Sequence, residues 1–183
     1  RALAYGPNIE YTVFDVTSVS KESLSQIGQK LIVATARLEA MTNECGIISY
    51  ETHAVVLGDV LNGTFCSHPL RGQGYDYDVP ALAAEFATTE EGSGVVHIAP
   101  GHGADDWVLG MANDIEVPHT VGEDGRYFDH VPVFAGMHVY TCNEDVAKVI
   151  HQAGGLVGKG SLVHRYPHSW RSKQPLIFRN TAQ

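Results

Sequence analysis

Residues 92–107, GSGVVHIAPGHGADDW, hold the densest set of side chains able to do chemistry. An apolar run ends in Pro100, Gly101, His102 and Gly103, and Asp105 and Asp106 follow within one helical turn. His97 and His102 stand five apart, one on the run and one in the turn. An ionised Asp holds an ammonium group through charge-assisted hydrogen bonds. His orients water, or relays a proton to it, near neutral pH. Glycine turns at strand ends are common places for a fold to expose such groups. The same residues also have plainer uses. Asp105 or Asp106 serves equally well as a helix cap, His97 as a hydrogen-bonded core residue, and the glycines as turn formers.

Other chemistries fit less well. A metal set of His97, His102 and Asp106 matches no dedicated zinc spacing such as HExxH or paired CxxC. GHGADD lacks the Lys and Ser/Thr of a phosphate-cradling loop, and GxGxxG is absent here. No GxSxG elbow supports a serine triad. Cys45, Cys66 and Cys142 are odd in number and widely spaced. They give no disulfide framework, and reduced thiols of an intracellular protein are the simpler reading.

The elements that must position these groups are short. Residues 94–99 predict a strand and 104–113 a helix, with Asp105 and Asp106 at the positive end of its dipole. Further strands are expected at 10–16, 30–35, 64–70 and 78–87, with another within 47–61. Residues 36–43 read as a helix stopping near Gly46, and 20–25 as a connection. Residues 143–153 predict a helix capped by Asn143 and stopped by Gly154 and Gly155. A turn is expected at 123–126, and strand-like pieces return over 161–183. Many short strands with few short helices predict an α/β, β-rich, barrel-like domain.

The 183 residues are enough for a self-sufficient core. With 44% hydrophobic and 18% charged residues the chain reads as globular. No apolar run approaches the roughly 20 residues of a membrane-spanning helix. The chain starts at Arg1 without a signal peptide and reads as a piece of something longer. Twelve basic residues stand against 21 acidic ones, a net charge of −9. That balance excludes a protein that coats nucleic acid. It is compatible with a module touching only the end of one. The basic residues Arg165, Arg171, Lys173 and Arg179 are interleaved with Tyr166, Trp170 and Phe178, with no acid between 164 and 179.

The 92–107 stretch resembles the GTGxVHxAPGHGxDDY motif of isoleucyl-tRNA synthetase editing domains, the insertion called connective polypeptide 1. The Ala-Pro-Gly-His-Gly wording resembles the bacterial-type isoleucine enzymes rather than their valine and leucine relatives. Arg1-Ala2-Leu3-Ala4, the VGEDGRY and VFAG pieces at 121–127 and 133–136, and residues 164–183 are similar to flanking parts of that family. Ser93 and Trp107 replace the usual Thr and Tyr. The resemblance implies a barrel-like class I synthetase editing domain with short peripheral helices. It divides the chain into 1–163, an editing domain lacking its N-terminal threonine-rich strand, and 164–183, a return stalk toward the catalytic core.

The function implied is hydrolysis of misacylated valyl-tRNA(Ile). Asp106 falls where the family holds the α-ammonium of the amino acid, and His97 where the same pocket has its histidine. Gly101, His102, Gly103, Asp105 and Trp107 fall around the substrate. No metal or cofactor is implied within the domain; ATP, magnesium and often zinc belong to the parent synthetase outside it. The implied partners are the tRNA(Ile) 3′ end carrying valine and the rest of the synthetase, with no DNA or membrane, in the cytoplasm. Two other functions stay open at this level: a binding-only module for the tRNA 3′ end, and an unrelated metal-dependent hydrolase using the histidines.

Overall fold

A computed structural model describes residues 3–5, 8–19, 30–35, 46–49, 64–84, 95–161 and 164–181, with side chains over 64–84, 95–160 and 166–181. In chain order the strands are β1 (Leu3–Tyr5), β2 (Asn8–Val19), β3 (Lys30–Thr35), β4 (Gly46–Ser49), β5 (Thr64–Ser67), β6 (Asp78–Ala83) and β7 (Val95–Ile98). Two helices follow, α1 (Ala104–Ala112) and α2 (Asn143–Gln152), then β8 (Leu156–Ser161) and β9 (His164–Tyr166). Seven strands form one sheet in the order β3-β7-β4-β6-β5-β2-β8, and β3 pairs with β2 as well. β1 and β9 form a separate antiparallel pair, Leu3 opposite Tyr166 and Tyr5 opposite His164. The described fold is therefore sheet-rich with few helices, as expected.

β2 is the longest strand at 12 residues, rich in the β-branched and aromatic residues that suit a pleated sheet. Glu10 to Asp15 pair with β3. Asn8 to Thr12 pair with β8, and Asp15 to Val19 with β5. Register shifts at Tyr11/Thr12 and Val16/Ser18 mark irregularities in the two latter ladders. Such bulges bend a strand and raise its twist, which suits a strand that changes partners along its length.

The main core lies between β5, β6, α2 and the turns of 120–142. β5 alternates inward and outward, with Thr64 and Cys66 buried and Phe65 exposed. Cys66 faces Val79 across the ladder to β6. From α2, Val146, Ala147 and Ile150 point inward at helical spacing to meet Phe134, Val139 and Leu70. A smaller cluster joins Ile98 and Ala84 to Leu82, Val96, Leu109 and Ile115, and seats α1 on the sheet.

Several expectations shift. The strand expected over 64–70 ends at Ser67, because His68 Nδ1 accepts the Leu70 N–H at 3.1 Å and the His68 carbonyl accepts the Arg71 N–H at 3.0 Å, forming a turn. β1 and β8 are strands that local sequence does not announce. Asn143 does not cap α2. The cap position is Cys142, which already has helical backbone and makes no side-chain cap. The chain is wound one residue early because the His138 carbonyl accepts the Thr141 and Cys142 N–H groups and Cys142 is sunk in the core. Asn143 becomes the first helical residue, and its Oδ1 is buried with no hydrogen-bond partner. α2 ends as expected: the Gly155 N–H returns to the Ile150 carbonyl at 2.9 Å. The helix expected at 36–43, the connection at 20–25 and most of the 47–61 segment lie outside the described residues.

The turn at 71–75 shows how tightly the core is set. Gly74 has φ +96°, and a Cβ there would stand 2.6 Å from Pro132 Cβ. Beside it Tyr75 is buried, stacks on His68 at 4.8 Å, and donates its hydroxyl to the Pro132 carbonyl at 2.8 Å. Gly74→Ala should destabilise by about 2–4 kcal/mol, overpacking and left-handed strain acting together; denaturant titration checks this, and a loss under 1 kcal/mol would refute it. Burial raises the ionisation of Tyr75 above its ordinary range. The folded chain then keeps a proton that the unfolded chain loses above about pH 10. The stabilisation is complete below that pH and is lost as pH rises further. Tyr75→Phe should lose about 1 kcal/mol at pH 7 with the hydrogen bond, yet show a shallower decline above pH 10. An unchanged alkaline slope would contradict this account.

Candidate functional site

β7 delivers the chain into the site loop. His97 sits on β7 opposite Ile47 of β4 and is 8% exposed. After Ile98 the His102 N–H bonds to the Ala99 carbonyl at 2.9 Å and closes a tight turn. Gly103 takes the N-cap position in extended conformation, and the Trp107 N–H begins the α1 ladder on its carbonyl at 2.9 Å. No side chain caps this helix at Gly103.

Asp106 acts from within the first turn. Its Oδ2 accepts the Ala99 N–H at 3.0 Å. This is the reach-back of a capping box, except that it extends upstream to the end of β7. The carboxylate also sits near the positive end of the helix dipole. The capping and substrate-binding readings of Asp106 are thus not exclusive, since the same bond fixes where the carboxylate lies. Asp105, one position earlier, is exposed. On the far side of the turn α1 comes so close that a Cβ on Gly110 would lie 2.7 Å from Pro100 Cγ. Only glycine lets the helix rest on the proline ring.

A cavity of about 410 Å³ opens beside this loop. One wall is Pro100, Gly101, His102, Gly103 and Ala104, continued by Trp107 and Val108 of α1. The other wall is Phe178, Arg179 and Asn180. Of the residues singled out by sequence, Gly101, His102, Gly103 and Trp107 meet around this cavity. Asp105 and Asp106, in the first turn between the lining residues Ala104 and Trp107, are not themselves lining residues, and His97 lies buried on the strand that feeds the loop. Among the described residues, no group of three His, Cys, Asp or Glu is placed to hold a metal ion.

The local sequence does not announce the second wall. Residues 178–180 are some 75 positions from the loop, inside the segment expected to be a stalk. They are held to the body by several contacts. His102 Nδ1 donates to the Phe178 carbonyl at 2.6 Å; because a carbonyl only accepts, the proton is on Nδ1. Asn180 Nδ2 donates to the Val117 carbonyl at 3.0 Å. Tyr140 donates to Pro175 and Tyr166 to Leu176. Arg179 lies 3.9 Å from the highly exposed Glu123. Trp107 and Phe178 are 49% and 42% exposed, so two exposed aromatic residues and Arg179 line the same opening. The only sequence signal for this was the acid-free basic and aromatic pattern of 164–179.

The arrangement offers a glycine backbone that admits a ligand closely, a carboxylate fixed at a helix start, and a basic, aromatic rim. No protein-family model matches the chain. Isoleucine–tRNA ligase of Gluconobacter oxydans is 45% identical over 194 residues, taking in 100% of this chain and 20% of that protein. The isoleucine–tRNA ligases of Pelagibacter ubique and Caulobacter vibrioides are 40% and 39% identical, again along all of the chain. The chain thus spans about a fifth of the length of the relatives it matches. Among solved structures, the crystal structure of GlLeuRS-CP1 superposes with a TM-score of 0.56 at 13% identity, covering 82% of this chain and 98% of that one. The chain is therefore homologous along its whole length to a segment of the isoleucine–tRNA ligases, and it shares the fold of GlLeuRS-CP1.

Proposed function

We propose that this chain is the editing domain of an isoleucine–tRNA ligase and hydrolyses valyl-tRNA(Ile). The observation that carries the proposal is the match of the whole chain to about a fifth of isoleucine–tRNA ligases, joined to a loop that fixes Asp106 at the start of α1. Isoleucine and valine differ by one methylene, worth about 1–3 kcal/mol or roughly 10–200-fold in a pocket; this is the established figure for that pair and not one read from this chain. A second, smaller site that admits valine and rejects isoleucine supplies the remaining discrimination.

In this reading Asp106 holds the α-ammonium of the misattached valine. The backbone of 101–103 lines the pocket at close range, with His102, Asp105 and Trp107 around it. His97, buried on β7, contributes to the same pocket as a second catalytic residue. Water adds to the ester carbonyl, the bond from that carbon to the ribose oxygen breaks, and a proton from the water passes to that oxygen to give the free ribose hydroxyl. Free valine and uncharged tRNA leave. No step needs a metal or cofactor within this domain; ATP and magnesium serve aminoacylation elsewhere in the synthetase. Residues 1–163 form the editing body and 164–183 the return toward the catalytic core. A barrel-like sheet belongs to this reading, and the pairing of β3 with both β2 and β7 supports it. The setting is the cytoplasm, where aminoacylation serves translation.

The test separates charge from structure. In the intact synthetase carrying this domain, Asp106→Asn keeps an oxygen for the Ala99 N–H but removes the negative charge. Losing a charge-assisted bond of about 1.5–3 kcal/mol should slow deacylation of valyl-tRNA(Ile) roughly 10- to 100-fold. Asp106→Ala should do the same and also loosen the start of α1. Valyl-tRNA(Ile) should then accumulate during aminoacylation with valine. Wild-type deacylation by Asp106→Asn would overturn the role of Asp106, and a wild-type synthetase that never clears valyl-tRNA(Ile) would overturn the function.

A further inference from the structure

His102 belongs to both sides of the cavity. Its backbone lies in the loop, and its ring reaches the opposite wall, where Nδ1 donates to the Phe178 carbonyl at 2.6 Å. The same side chain also lines a second, smaller cavity of about 30 Å³, shared with Tyr127, Tyr166 and Phe178. The two spaces therefore meet at His102. The other anchors of the C-terminal segment grip different parts of the body. Asn180 bonds to Val117, beyond α1, and Tyr140 bonds to Pro175, from the turns before α2. The bond from His102 runs from the site loop itself.

We propose that His102 is a positioning residue that latches the 178–180 wall to the 101–103 wall and so sets the width of the cavity. The acceptor is a main-chain carbonyl, so the latch does not depend on which side chain occupies position 178. It depends on an N–H at the Nδ1 position of residue 102. An asparagine there offers an amide N–H close to that position. A glutamine offers one near the Nε2 position, one bond further out. The consequence for catalysis rests on the editing function proposed above: a wall that drifts loosens the hold on the aminoacyl end without touching the reacting atoms.

The experiment is hydrogen exchange followed by mass spectrometry on the chain with His102, His102→Ala, His102→Asn and His102→Gln. Peptides covering 174–181 should exchange about tenfold faster in His102→Ala and His102→Gln, and within about twofold of the original in His102→Asn, while α2 is unchanged in all four. Should His102→Ala fail to fold, the contrast between Asn and Gln decides alone. Equal exchange in His102→Gln and the original, exchange in His102→Asn as fast as in His102→Gln, or acceleration spread equally into α2 would each overturn the latch. In the intact synthetase, His102→Gln should raise KM for valyl-tRNA(Ile) about tenfold, the loss falling on KM more than on kcat, and His102→Asn should raise it less. A fall in kcat alone would overturn the positioning role. If the original synthetase does not deacylate at all, the editing function fails, and the exchange result still decides the latch.

Discussion

Main-chain hydrogen bonding along β2 is the constraint on which the sheet depends. Buried N–H and C=O groups must be paired, and one strand has only two edges. β2 meets this by length. One edge serves β3, while the other serves β8 over its first part and β5 over its last. The partner change on that edge brings two sequence-distant strands to one line. A shorter β2 would leave either β8 or β5 without its ladder. The irregularities in register are the bends such a strand needs.

The candidate site inherits this economy of parts. β7 pairs antiparallel with β4 and ends at the foot of α1, so the loop between them leaves the sheet at a fixed point. The bond from Asp106 to Ala99 then sets the helix start relative to the strand end. The opposing wall comes from the far end of the chain, brought back by β9 pairing with β1 and by the tyrosine hydroxyls of Tyr140 and Tyr166. Arg179 of that segment lines the cavity, while all 21 acidic residues belong to the rest of the chain. The net charge of −9 thus describes the whole and not the rim.

What was legible in the sequence was local. The strand, glycine turn and helix of 94–113 could be read because periodicity changes sharply at Pro100 and the acids sit at the helix start. The turn at 123–126 and the stop of α2 could be read because glycine chemistry is local too. β8 could not, because LVGKGS has two glycines and becomes a strand only by pairing with β2. The misplaced cap of α2 has a similar cause: Cys142 is drawn into the core by contacts that no local pattern records. The wall at 178–180 is the largest omission. It is defined by hydrogen bonds spanning 76 and 63 residues, and neither His102 nor Asn180 signals its partner.

The contact of Gly110 with Pro100 bears on motion. Isolated surface loops rearrange in nanoseconds to microseconds, whereas shifts of packed helices belong to the microsecond-to-millisecond range. Here the proline ring rests on the helix backbone, Asp106 ties the helix to Ala99, and the Ile115 N–H closes the far end of α1 on the Gly110 carbonyl at 2.9 Å. The entry to the loop is therefore tied to the helix. Any displacement of 100–103 must carry α1 with it as a rigid lever. A loop of this glycine content, free to fluctuate by composition, is slowed to the clock of the helix beneath it.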